Sequence, residues 1–166
     1  NPEQLVKLCE DLRKEFDFIL IDCPAGIEQG FKTAIAAADT AIVVTMPEIS
    51  AVRDADKIIG ELSRADKEDI KLIVNRIRPQ MVESGDMLDM NDINDILSIE
   101  CIGQVPDDEM VVTSTNKGEP CITMEHSLAG QAYRNIVGRI CGEDIPFMEF
   151  PKEGFFQRLK RRVFGA

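Results

Sequence analysis

The chain has 166 residues, 44% hydrophobic and 30% charged, with a net charge of −11, values in the range of a single globular domain with a sizeable core. No apolar run approaches 18 residues, so no stretch is long enough to form a membrane-spanning helix. Five scattered cysteines without a CxxC pair disfavour a zinc site or disulfide framework and suit reduced thiols, and the lone His126 leaves little for a histidine-based triad.

In chain order, Asn1-Pro2 reads as a helix start with Leu5, Leu8 and Leu12 on one face. The four apolar residues 18–21 read as a strand buried on both faces, the mark of a parallel sheet, ending at Asp22. A helix from about residue 28 carries Phe31, Ile35 and Ala38 inward. Residues 40–45 read as a second buried strand, and Pro47 opens a helix with Val52, Ala55, Ile59 and Leu62 at core spacing. Residues 70–75 give a third strand, 91–97 a helix, 99–106 a fourth strand, and 127–141 a long helix. Strands alternating with helices predict an α/β, doubly wound, mainly parallel sheet.

Charge is unevenly placed. Residues 152–166 carry a net +4, leaving −15 on the rest. An acidic body with a basic end points to a partner for that end, while the body should repel nucleic acid. The chain begins without methionine, which suggests a piece of something longer.

Asp22 stands at the end of its strand before Pro24-Ala25-Gly26, where α/β sheets place ligands. A carboxylate there either holds magnesium through water, with the Pro/Gly turn sensing a γ-phosphate, or caps the turn. No GxxxxGK[ST] and no GxGxxG occurs in the chain. Asn75, at a strand end, suits either base recognition, since its amide donates and accepts, or a turn. Asp86, Asp89, Asp92 and Asp95 are spaced by three, unlike a calcium loop; Asp89 as helix cap with Asp92 three later explains them.

In order, FDFILIDCPAGIE, TMPEISAVRDADKIIGEL, LIVNRIRP, SGDMLDMNDINDIL, IGQVPDDEMVVTSTNKGEP and the basic tail closely resemble the septum-site-determining MinD family of the ParA/MinD ATPase group. The resemblance covers essentially the whole chain. It implies a P-loop NTPase sheet of the SIMIBI type, incomplete at its N-terminus, with the family's deviant Walker A loop before residue 1. In that class the P-loop strand lies between the Walker B strand and the next, so residues 18–22 and 40–45 should not pair. A gap of two strand spacings, roughly 10 Å, is expected between them.

The resemblance further implies that Asp22 is the Walker B aspartate, holding Mg2+ through water, and Pro24, Ala25 and Gly26 the switch II turn. Asn75 and Arg76 match the adenine-recognising segment, Pro106 and Asp107 the second adenine loop. Glu48, Ser50, Asp54 and Asp56 match a dimer-interface surface where a MinC-like inhibitor and a MinE-like activator compete. The expected cofactors are ATP and Mg2+. The expected parent is a cytoplasmic ATPase that sits as an ATP-dependent homodimer on the inner face of the cell membrane and does not bind nucleic acid. Rival expectations are another ParA-type ATPase, for flagellar number or chromosome partitioning, and a non-catalytic flavodoxin-like module.

Residues 1–150 are expected to form the ATPase portion and 151–166 a membrane-targeting tail. At about 100° per residue, Phe155, Phe156, Leu159 and Val163 share one stripe, with Arg158, Lys160, Arg161 and Arg162 around the remainder. Phe164 departs from the stripe at the end. Such a helix suits anchoring on anionic lipid.

Overall fold

A computed structural model describes residues 1–24 and 26–150. Three strands, β1 (Ala41–Thr45), β2 (Ile70–Ile77) and β3 (Glu100–Pro106), form a parallel sheet in the order β1-β2-β3. Seven α-helices accompany them among the described residues: α1 (Pro2–Leu12), α2 (Gln29–Ala37), α3 (Ile49–Arg64), α4 (Pro79–Ser84), α5 (Met90–Leu97), α6 (Glu109–Lys117) and α7 (Leu128–Ile140). The mixed α/β architecture with a parallel sheet agrees with the sequence expectation.

The residues explain the layers. Leu72, Ile73 and Val74 are consecutive in β2 and all buried, because both faces of that strand are covered. One face packs Val43, Leu72 and Val74 against Phe31 of α2, Val52, Ala55 and Leu62 of α3, and Ile93 and Leu97 of α5. The other packs Ile73, Ile102 and Val105 against Ala129, Ala132 and Ile136 of α7. Helix α7 packs on β3 where Gly103 leaves room: a Cβ there would lie 2.4 Å from Ile136 Cδ1. On this second face β1 is open, with Ile42 38% and Val44 59% exposed.

The helix starts follow their caps. Asn1 Oδ1 accepts from Glu3 N at 3.1 Å, with Pro2 in the first turn of α1. Asp89 and Asp92 form the capping box of α5, as their spacing predicted. The helices α4 and α6 were not anticipated; Pro79 at the first position of α4 and Asp108 before α6 were the available signals.

Two expectations require correction. Residues 18–21 belong to no strand, and none of them is fully buried: Phe18 is 59% and Leu20 87% exposed, while Ile19 and Ile21 are half-buried. No ladder joins them to β1 or any other described strand. An apolar strand is buried only when neighbours cover it, and no strand pairs with this segment among the described residues. Between it and the N-terminal ends of the strands lies a cavity of about 1060 Å³, lined by Phe18, Leu20, Ile42, Lys71, Glu100 and Arg139 among others. In α1, the fully buried residue is Cys9; of the leucine face, Leu5 and Leu12 are half-buried and Leu8 is 52% exposed.

After α7 the chain is tacked to β3 by one side chain. Arg139 donates to the carbonyls of Ile102, Ile145 and Pro146, each at 2.9 Å, and lies 4.3 Å over the Phe147 ring. Phe150 then packs against the α2/α3/α5 side of the sheet. The proposed tail, residues 151–166 with Phe155, Phe156, Arg158, Leu159, Lys160, Arg161, Arg162, Val163 and Phe164, lies outside the described residues.

Candidate nucleotide site

The C-terminal ends of β2 and β3 bring four sequence-predicted residues together: Asn75, Arg76, Pro106 and Asp107. Ile77 pairs with Pro106, and Asp107 N donates to Ile77 O at 2.8 Å. The ladder slips between Val74 and Ile77, so Asn75 and Arg76 form a bulge. Arg76 sits there at φ 58°, a left-handed conformation costing a non-glycine residue of order 1–3 kcal/mol. The Asn75 side chain helps hold it: Arg76 N donates to Asn75 Oδ1 at 2.9 Å.

That bond orients the amide. With its oxygen engaged by the neighbouring backbone, Asn75 keeps its two NH2 donors without a partner among the described residues. The bulge therefore presents two donors beside a planar guanidinium, a combination that can meet an acceptor nitrogen on a base edge and cover the base face.

Asp107 is held from two sides. Arg76 Nε donates to Oδ1 at 3.4 Å, and Arg78 Nε donates to Oδ2 at 2.6 Å. The Arg78 guanidinium, helped by Arg76 and opposed by partial burial, keeps the Asp107 carboxyl below the usual carboxylate range. Arg78 was missed by the sequence reading. Its signal was a second arginine two residues after Arg76, and strand alternation puts such residues on one face.

The phosphate end is not assembled among the described residues. Asp22 is exposed, makes no hydrogen bond among them, and lines a different cavity from Arg76 and Arg78. It does not cap the turn. Pro24 packs on the first turn of α2, where a Cβ on Gly30 would come within 2.6 Å of its Cγ. Gly26 takes φ 95°, and Ala25 lies outside the described residues. An exposed, unengaged carboxylate fits a cation held through water, but no group of three or more His, Cys, Asp or Glu surrounds it among the described residues. Asp22 alone therefore fits only one part of a magnesium site.

The predicted partner surface is exposed throughout. Glu48 precedes α3, and Ser50 and Asp54 stand one turn apart, opposite the Val52–Ala55–Leu62 core stripe. Asp56 leaves from the other flank, about 160° around the helix from Asp54. Glu48 and Ser50 line a groove of about 800 Å³ together with Arg53, Arg76, Arg78 and Met87. The groove thus joins the start of α3 to the Asn75–Arg76 bulge, while Asp54 and Asp56 stand outside it.

The chain is 49% identical over its whole length to the septum site-determining protein MinD of Synechocystis sp., covering 64% of that protein. It is 48% identical to the MinD of Bacillus subtilis, with 99% of this chain and 62% of the relative aligned. Among solved structures it is similar to the MinC:MinD cell division protein complex of Aquifex aeolicus, at TM-score 0.87 and 43% identity over 91% of this chain and 63% of that one. It is also similar to MinD of Pyrococcus horikoshii complexed with Mg-ADP, at TM-score 0.72 and 27% identity over 84% and 56%. A third likeness is to the cell division ATPase MinD of Pyrococcus furiosus, at TM-score 0.74 and 27% identity over 86% and 59%. No protein-family model matches the chain. The chain spans a little under two thirds of the curated relatives it matches. With this identity along essentially the whole chain, and with the same parallel α/β fold, the chain belongs to the septum-site-determining MinD family.

Proposed function

We propose that these residues are the base-binding and partner-facing portion of an ATPase that positions the division septum. One observation carries the reading: Asn75, Arg76, Pro106 and Asp107, fifty-odd to eighty-odd residues beyond Asp22 in sequence, converge at the C-terminal end of a parallel sheet, where α/β folds bind nucleotides. The Mg-ADP complex of the Pyrococcus horikoshii relative supports ATP and Mg2+ as cofactors.

In this reading Asn75 donates to the base edge and Arg76 covers the base face. Asp107 holds the bulge in shape, and Asp22 holds Mg2+ through water near a phosphate cradle that the chain's own residues do not supply. Bound magnesium would neutralise phosphate charge. Pro24, Ala25 and Gly26 form the turn that responds to the γ-phosphate. ATP drives homodimerisation, and the tail anchors the dimer on anionic lipid at the inner face of the cell membrane. There Glu48, Ser50, Asp54 and Asp56 face a MinC-like septum inhibitor and a MinE-like activator, and the Aquifex aeolicus complex with MinC supports the first of these.

The test is magnesium-dependent ATP hydrolysis. A full-length protein carrying this sequence should hydrolyse ATP and lose that activity in Asp22→Ala. The 166-residue chain alone should not, because it lacks the amides and lysine that bind the β- and γ-phosphates. Turnover by the chain alone, above its own Asp22→Ala control, would show the assignment of the motifs to be wrong.

A further inference from the structure

We infer that Arg78 is a positioning residue for base selectivity, acting through its hydrogen bond to Asp107. The inference rests on the nucleotide reading above.

Three contacts lock the end of β2 to the end of β3: Asp107 N to Ile77 O at 2.8 Å, Arg78 Nε to Asp107 Oδ2 at 2.6 Å, and Arg76 Nε to Asp107 Oδ1 at 3.4 Å. They differ in quality. The Arg78 bond is a short charge-assisted one, whereas the Arg76 bond is at the edge of the hydrogen-bonding range. The two carboxylate oxygens are thus divided between two arginines with different tasks. Arg78 is fixed, and its backbone is fixed as well, its N–H donating to Met87 Sδ at 3.4 Å. Both side chains are exposed, and Arg76 is the more loosely held of the two.

The geometry explains why a clasp is needed. Arg76 is held in the left-handed region, and such a conformation persists only where its surroundings over-determine it. On one side the Asn75 amide oxygen fixes the Arg76 N–H. On the other, Asp107 fixes the guanidinium, and Asp107 is in turn set by Arg78. Removing Arg78 leaves Asp107 to Arg76 alone, which draws the guanidinium toward the carboxylate. The strand end then relaxes, and the Asn75 oxygen is freed to turn outward. A donor edge meets the acceptor N1 of adenine and opposes the N1–H of guanine; a freed amide oxygen accepts that N1–H, so discrimination between the two bases falls. In the nucleotide reading the phosphates are met by Asp22 through Mg2+ and by a cradle outside these residues, so their binding does not depend on this clasp.

The experiment uses the full-length protein and displacement of a fluorescent ATP analogue by three probes: ATP, GTP and magnesium tripolyphosphate, which has no base. Arg78→Ala should weaken ATP by on the order of tenfold, the scale of one charge-assisted hydrogen bond. It should narrow the ATP-to-GTP ratio and leave tripolyphosphate within a factor of about two. Arg78→Lys should recover part of the ATP affinity. Asp107→Asn should match Arg78→Ala, and the double variant should be no weaker than either single, because both remove one clasp. If Arg78→Ala does not fold, Asp107→Asn carries the same readout. An equal loss for all three probes, or no change in any, overturns the inference. A wild-type protein that binds tripolyphosphate as tightly as ATP overturns the base-binding reading instead.

Discussion

Asp108 and Ser127 are joined side chain to side chain: the Ser127 hydroxyl donates to Asp108 Oδ2 at 2.8 Å. The same oxygen accepts Ala129 N at 3.0 Å, Oδ1 accepts Met110 N at 2.9 Å, and Ser127 Oγ accepts Gly130 N at 2.9 Å. One carboxylate thus caps α6 and, with Ser127, organises the start of α7. Burial opposes its ionisation, but hydrogen bonds from Ala129, Ser127, Met110 and Leu128 outweigh it and hold its pKa below the usual value. Asp108→Ala should cost roughly 2 kcal/mol and Ser127→Ala about 1 kcal/mol by urea denaturation, since each leaves helix N–H donors unpaired. Equal stability of Asp108→Ala and wild type would show that water replaces the cap at no cost.

Two glycines should respond to alanine with opposite signs. A Cβ on Gly130 would stand 2.5 Å from the Cys121 carbonyl oxygen, a backbone atom that cannot turn away. Gly130→Ala should therefore destabilise by about 1–3 kcal/mol. Gly60 lies inside α3 and a Cβ there meets nothing within 4 Å. Gly60→Ala should stabilise by up to about 1 kcal/mol through helix propensity. Thermal melts of the two variants decide it; a shift of the same sign in both contradicts the packing described.

The Asp107 clasp sets a pH dependence. Its carboxyl pKa is depressed by Arg78 first and Arg76 second. A depressed carboxyl stabilises the fold fully above the unfolded value, about 3.9. That contribution is lost as pH falls from there through the folded pKa. Carboxyl-detected NMR titration should place Asp107 below the ordinary range, and Arg78→Ala should move it back up. An unmoved titration in Arg78→Ala would show that Arg76 alone suffices.

The tail should bind membrane only in pairs. Each cation near anionic lipid contributes about 1 kcal/mol and each large apolar side chain about 1.5–3 kcal/mol. Ordering the backbone costs about 1–2 kcal/mol per residue, so one tail is a weak anchor and two in a dimer gain by effective concentration. Liposome sedimentation of the ATP-bound full-length protein should require anionic lipid, weaken with salt, and fall sharply in Phe155→Glu or Leu159→Glu. Binding that survives both substitutions while DNA of equal charge competes fully would assign the tail to nucleic acid.

Much of the local structure was legible because it rests on local chemistry. The Asp89–Asp92 capping box, the Asn1-Pro2 start of α1 and the apolar stripe of α3 follow from residues within one or two helical turns, whose geometry is the same in any fold. So were β1 to β3 and the longer helices, though not α4 or α6, since apolar periodicity reflects what an element must bury. Tertiary structure decided the rest. The run at residues 18–21 carries the composition of a buried strand, yet burial needs neighbours on both sides, and no described strand pairs with it. The partners of Arg78 and Asp108 were not legible for the same kind of reason. Each acts on partners 19 to 29 residues away, and only the parallel pairing of β2 with β3, and the return of α7 across it, brings those charges within hydrogen-bonding distance.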